Sequence, residues 1–268
     1  MTLSTTGVRI VSAVLLGGVL LGVIVLGPPR WSALVVIAAI LIGAWEWAGF
    51  LLVRSVAARI AYVLLTGLLL RGGWWLAGFP GGLQGVLAAA AVWWVAALAW
   101  ILFAPLQGRR WAAILAGWLT LVPAGVALLW ICLDPSYGVR WLLFVLALVW
   151  SADTGAYFAG RALGRHKLAP QVSPGKSWEG VAGGLLLAGL FATFMAPVLG
   201  KPVFSFIVLS LCVAAFSVVG DLSESMFKRH AGLKDSGRLI PGHGGLLDRI
   251  DSITAAAPLA LLANGLLA

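Results

Sequence analysis

The chain has 268 residues, 62% of them hydrophobic and only 10% charged, against about 25% charged in an ordinary soluble domain. Its net charge is +9, but no basic-aromatic module accompanies that charge. Nucleic-acid binding is therefore excluded, and the basic residues read as flanks of membrane helices. Two cysteines, Cys132 and Cys212, lie in apolar segments with no CxxC pattern; they exclude a disulfide framework or a thiolate zinc site and read as small packing residues.

Apolar stretches of about 20 residues, the length that crosses a hydrocarbon core, recur throughout. Nine spans are expected, at 8–27, 31–52, 56–72, 83–104, 111–133, 140–160, 179–199, 203–227 and 246–267. The first is too long for a signal-peptide core and is followed by Pro28-Pro29-Arg30, so it reads as a retained helix. The third is the weakest, because Arg71 and Gly72-Gly73 crowd its end. Trp74, Trp75, Trp111, Trp141 and Trp178 fall near span ends, where an aromatic belt belongs; Trp93, Trp94 and Trp118 lie deeper and read as packing. The fold class is an all-α polytopic integral membrane protein, with residues 1–268 as one membrane domain.

Of the 18 Lys and Arg, all but Arg30, Arg71, Arg140 and Lys201 fall on the side that holds the N-terminal tail and the loops after spans 2, 4, 6 and 8. That bias predicts a cytoplasmic N-terminus and places the two largest polar loops, 161–178 and 228–245, together in the cytosol. The acids divide the chain differently. Before residue 150 there are only Glu46 and Asp134; the other seven follow. Residues 1–140 therefore read as an apolar scaffold and 141–268 as the catalytic part, an asymmetry that argues against an inverted-repeat transporter. Glu46 is a lone acid in span 2, and its role stays open between a protonated group, a paired group and a cavity wall.

Ser217, Asp221, Glu224, Ser225 and Lys228 follow i, i+4, i+7, i+8, i+11 and share one face of span 8. Asp248, Asp251 and Ser252 share one face at the head of span 9. If the two faces meet, four carboxylates converge and repel strongly at low dielectric. A divalent cation relieves this, and oxygen-only ligands suit Mg²⁺; the alternative is pairing with Lys228, Arg229 or Arg249. Between the faces lies Ile240-Pro-Gly-His-Gly-Gly245, whose glycines permit close backbone approach. The helix that follows offers free amides for an anion, with Lys228, Arg229, Lys234 and Arg238 around it and His243 within reach of phosphate. His166 and His230 read as surface loop residues.

A second patch begins at Ser151-Ala-Asp-Thr-Gly-Ala-Tyr157. Asp153 is costly in an apolar span unless paired or functional. The loop beyond it carries Lys167, Ser173, Lys176 and Ser177, a set able to hold a polyphosphate or to serve as an ordinary cationic loop. Gly175-Lys176-Ser177 looks like the tail of a P-loop, but Pro170 stands where a P-loop needs glycine and no strand is expected before it.

Ser225 to Asp251 resembles, position for position, the signature of CDP-diacylglycerol synthases (phosphatidate cytidylyltransferases): S-x-apolar-K-R-x4-K-D-x-small-x2-apolar-P-x-H-G-G-apolar-x-D-R-apolar-D. Ser151–Gly160 and Ser173–Gly180 are also similar to this family, with Ser177 where many relatives carry Thr; the first 140 residues agree only in being apolar helices. The resemblance implies transfer of a cytidylyl group from CTP to phosphatidic acid, giving CDP-diacylglycerol and pyrophosphate. It also implies a bacterial-type inner membrane, a cavity open to the cytosol, and dependence on Mg²⁺, and it admits a monovalent cation and a homodimer. The expected metal ligands are Asp221 and Asp248, with Asp251 and Glu224 as further candidates. Lys228 and Arg229 join Asp221, Asp248 and Asp153 as catalytic candidates. Ser173, Lys167, Lys176, Ser225, Lys234, Arg238, His243, Gly244 and Gly245 are expected to bind substrate. The competing expectations are a CTP-dependent polyprenol or dolichol-type lipid kinase and a non-enzymatic transporter.

Overall fold

The computed structural model of the chain describes residues 17–52, 55–105, 110–135, 138–240 and 244–267. Among them are nine helices: α1 Gly17–Leu26, α2 Pro29–Phe50, α3 Val56–Ala77, α4 Gly82–Phe103, α5 Arg110–Leu133, α6 Gly138–Leu163, α7 Trp178–Val198, α8 Val203–His230 and α9 Leu247–Leu266. Two short strands, β1 Lys167–Ala169 and β2 Ser173–Ser177, stand between α6 and α7. Helices α2 to α8 are each long and apolar enough to cross a membrane, and the protein is a multi-pass membrane protein. Its backbone is helical because hydrocarbon offers no partner for an unpaired amide or carbonyl.

Where both ends are described, the helix ends fall close to the expected ones, with two instructive differences; the start of the span expected at 8–27 lies outside the described residues. Helix α3 runs on through Gly72-Gly73 to Ala77. Gly73 faces α5, where a Cβ would stand 3.1 Å from Val126 Cγ2, so glycine there admits a neighbour rather than ending the helix. The loop after α6 forms an antiparallel hairpin, with Lys167 paired to Ser177 and Ala169 to Ser173. No alternating apolar pattern announces strands this short.

Helix α9 lies at the centre. Nearly all of it from Ser252 to Asn264 is buried, and it packs on α8 and α5 and also on α4, α6 and α2. Ala255, Ala256 and Ala257 allow that crowding, since small residues let helices approach where no water drives them together. The scaffold and catalytic halves thus interlock through this helix. Helices α6 and α7 pack closer still: a Cβ on Gly184 would stand 2.6 Å from the Ala152 carbonyl oxygen, so only glycine fits. Trp47 fastens α2 by donating from Nε1 to the Ala113 carbonyl at 2.9 Å and packing at a tilt 5.0 Å from the ring of Phe227 of α8.

The tryptophans sort mostly as expected. Trp75, Trp111 and Trp178 are exposed near helix ends, and Trp93 and Trp94 are buried. Trp141 differs: it is buried against Phe144 and Phe206 and belongs to the core. Cys132 is buried as expected, whereas Cys212 is exposed on the outer side of α8.

Candidate active site

The ends of α6 and α8 and the starts of α7 and α9 lie at one end of the bundle, bringing the two large polar loops together. The hairpin is held there by α7. Ser177 caps that helix by accepting from Gly180 N at 3.1 Å, the preferred use of serine at a helix start. Glu179, in the first turn, accepts from Arg165 N at 3.1 Å and His166 N at 3.2 Å and contacts His166 Nδ1 at 2.6 Å. From the other side Arg229 donates to the Val172 carbonyl at 3.4 Å. A two-stranded hairpin is marginal alone; these contacts fix it over the helix ends.

So fixed, β2 carries Lys176 across to Asp221 of α8, at 2.6 Å. Beneath this pair lies a cavity of about 510 Å³ between α6, α7 and α8. Asp153, Lys176, Asp221 and Arg161 are its charged residues, and Val181 and Val218 are among its apolar ones. Asp153 stands within electrostatic range of Asp221, Lys176 and Arg249. Ser225 donates to Asp221 Oδ1 at 3.3 Å.

The two acidic faces do meet, but they divide their four carboxylates. Asp251 lies in hydrogen-bonding reach of Glu224 and within electrostatic range of Asp221. Both Glu224 oxygens are buried without a hydrogen-bond donor; the nearest cation is Lys228, 3.4 Å from Oε1. A carboxylate facing a carboxylate is two acceptors with nothing to share, an arrangement that calls for a cation or a proton. Asp248 is the opposite. Its Oδ1 meets Lys228 Nζ at 2.6 Å, and its Oδ2 accepts from Ser236 N, Ser236 Oγ and Gly245 N, each at 2.9 Å. The pairing alternative is thus realised for Asp248 through Lys228. Among the described residues no group of three or more His, Cys, Asp or Glu is arranged to hold a metal ion.

The loop between α8 and α9 departs from expectation in its amides. Those at the head of α9 were expected to be free for an anion. Instead Gly245 N goes to Asp248, while Leu246 N and Leu247 N donate to Glu46 at 3.0 and 2.7 Å. The protein's own carboxylates occupy that helix start, as the positive end of a helix favours. Gly244 takes a positive φ of 84°, and its carbonyl accepts from Ile240 N at 2.9 Å, closing the loop. His243 lies outside the described residues.

The remaining expected residues separate into two places. Ser173 and Lys167 sit on the hairpin with Lys176, Lys167 being exposed. Lys234 and Arg238 line a second cavity of about 830 Å³, beside Glu46, Trp45 and Arg59. Arg229 is turned to backbone carbonyls, those of Val172 and Leu233. The residues missed by sequence reasoning are Ser236, Glu179 and the role of Glu46. Glu179 had a signal, an acid in the first turn behind a serine cap. Ser236 had none, because its partners are 12 and 190 positions away.

A sequence model of the cytidylyltransferase family matches residues 7–266. The phosphatidate cytidylyltransferase of Haemophilus influenzae is 42% identical over 93% of this chain and 95% of its own length. That of Pseudomonas aeruginosa is 42% identical over 93% of both chains, and that of Brucella suis 39% identical over 99% of this chain and 96% of its own. With a match that runs nearly from end to end, through both halves and the loop that joins α8 to α9, the chain belongs to the cytidylyltransferase family.

Proposed function

We propose that this chain transfers the cytidylyl group of CTP to phosphatidic acid, releasing pyrophosphate and forming CDP-diacylglycerol for phospholipid synthesis. Near-full-length similarity to three phosphatidate cytidylyltransferases supports the activity. The observation that carries the site is the cavity in which Lys176 meets Asp221 above apolar walls. A diacyl phosphate needs both qualities in one place, a charged end and an apolar approach from the leaflet.

In this reading the lipid phosphate oxygen attacks the α-phosphorus of CTP in line. The new P–O bond forms as the bond to the bridging β-phosphate oxygen breaks, and pyrophosphate carries away the electron pair. An ionised phosphate needs no strong base, so the work of the protein is alignment and charge neutralisation. Lys176 and Arg161 face the cavity as cations for the lipid phosphate. Lys228 sits between Asp248 and Glu224, where it balances carboxylates, and it would reach a phosphoryl oxygen only by giving up part of those contacts. Lys234 and Arg238 stand on the loop as exposed cations for the triphosphate or departing pyrophosphate.

One or two of Asp221, Asp251 and Glu224 would hold Mg²⁺ together with substrate phosphates. Glu224 presents two buried oxygens without donors beside another carboxylate, and Mg²⁺ is usually held by one or two carboxylates together with substrate phosphates rather than by a full protein cage. When bound, Mg²⁺ supplies neutralisation of charge on the phosphoryl oxygens. Asp248 would join those ligands only by giving up part of its contact with Lys228, Ser236 and Gly245. The chain would sit in a bacterial-type inner membrane with its N-terminus and both polar loops in the cytosol, where CTP is, which fits the basic bias. A monovalent cation and a homodimer are compatible with this scheme.

The test is an assay with radiolabelled CTP and phosphatidate in detergent, with and without Mg²⁺. A labelled CDP-lipid and pyrophosphate, formed only with the metal, are expected. CDP as the product would instead mark a lipid kinase, and ion flux in proteoliposomes without nucleotide would mark a transporter.

A further inference from the structure

We infer that Glu46, the one buried acid of the scaffold half, is a positioning residue for the reaction: it holds the loop between α8 and α9 in the shape that presents Lys228 and Asp248. The inference rests on the proposed function. Glu46 is 6% exposed. Its Oε1 accepts from Leu246 N at 3.0 Å; its Oε2 accepts from Leu247 N at 2.7 Å and Ser236 Oγ at 3.1 Å. The single Ser236 hydroxyl proton lies between Glu46 Oε2 and Asp248 Oδ2, the Ser236 amide donates to Asp248 Oδ2, and Asp248 holds Lys228. A chain of hydrogen bonds thus runs from α2 through Ser236 to the lysine of α8.

Three features show that the loop is built around this carboxylate. A Cβ on Gly245 would lie 2.6 Å from both Glu46 oxygens, and a Cβ on Gly237 would collide with Glu46 Oε1. Two glycines of the loop therefore leave space for a side chain from another helix. Glu46 is itself immobilised, because neighbouring Trp47 is bonded to Ala113 and packed at a tilt against Phe227, one position before Lys228. And the carboxylate occupies the start of α9, where the unpaired amides of a helix stabilise negative charge. Glutamine cannot replace it: one oxygen would become an NH₂ group facing N–H donors.

Glu46→Gln in the full-length protein in detergent is the test, read by amide exchange and by kinetics. The amides of 233–248 should exchange faster while those of α6 and α7 keep their protection. Turnover should fall roughly 10- to 100-fold, the range for groups that orient a site from behind. The KM for phosphatidate should stay put, because that cavity lies on the α6–α7 side. Gly237→Ala, which removes no acid, should reproduce the same pattern, and it decides the matter if Glu46→Gln fails to fold. Unchanged loop exchange with wild-type turnover in both variants would overturn the inference, as would exchange raised evenly in every helix with turnover per folded molecule intact. Wild-type protein that makes no CDP-lipid, while Glu46→Gln still loosens the loop, would sink the functional reading and leave the tether standing.

Discussion

The α6–α7 pair and the α8–α9 pair reach the same end of the bundle by different physics. Helices α6 and α7 meet backbone to backbone through glycines, and nothing charged holds them together within the membrane. The polar groups they carry, Asp153 and the hairpin lysine Lys176, are left facing a cavity. Helices α8 and α9 also pack closely, but their ends beside the polar loops are joined by charge: Lys228 between Asp248 and Glu224, Asp251 beside Glu224, and Asp248 held by Lys228, Ser236 and Gly245. One pair makes an open space lined by partly solvated charges; the other makes a rigid charged frame. A transferase that must admit a lipid and align a triphosphate needs one of each.

Lys228→Met strikes the frame hardest. It strands two buried carboxylates, and removing one partner of a buried ion pair costs about 3–5 kcal/mol; a large drop in unfolding temperature together with lost turnover is expected, and a variant as stable as wild type would show that the frame is not held by charge. Asp248→Asn comes next. It keeps the shape but weakens Lys228 and leaves an amide group facing loop donors, an expected loss of about 1–3 kcal/mol visible in thermal unfolding. On the other pair, Gly155→Ala drives a methyl group into the Gly183 carbonyl; overpacking of this kind costs about 1–3 kcal/mol, and it should disturb phosphatidate KM before it disturbs CTP KM. Asp221→Asn should have the smallest structural effect. Its pair with Lys176 is partly solvated, and such pairs contribute at most about 1 kcal/mol, yet turnover should vanish if the cavity this carboxylate lines is the proposed reaction space. If Asp221→Asn and Asp248→Asn behaved alike in unfolding, the distinction between cavity and frame would fail.

Much of this site is legible in the residues themselves. Helical spacing puts Asp221, Glu224, Ser225 and Lys228 on one face, and Asp248 and Asp251 on another, because side chains three and four apart lie above each other. The apolar runs set the helices within a few residues. Spacing is silent, however, on which of several equivalent acids meets which cation. Asp221 and Asp248 look alike along the chain, yet one faces a cavity and the other is saturated by the loop that follows α8. The hairpin was hidden for a related reason: its strands are three and five residues long and are held by Glu179 and Arg229 from outside.

Composition, periodicity and the distribution of Lys and Arg were enough by themselves to determine a polytopic helical bundle with its polar equipment in the second half, since hydrocarbon allows few other backbones and span length follows from bilayer thickness. Only the tertiary structure decided that Glu46, 200 residues before the amide it accepts from, meets the loop between α8 and α9. Hydrogen bonds between distant helices depend on how the bundle packs, and no local pattern in the chain encodes that.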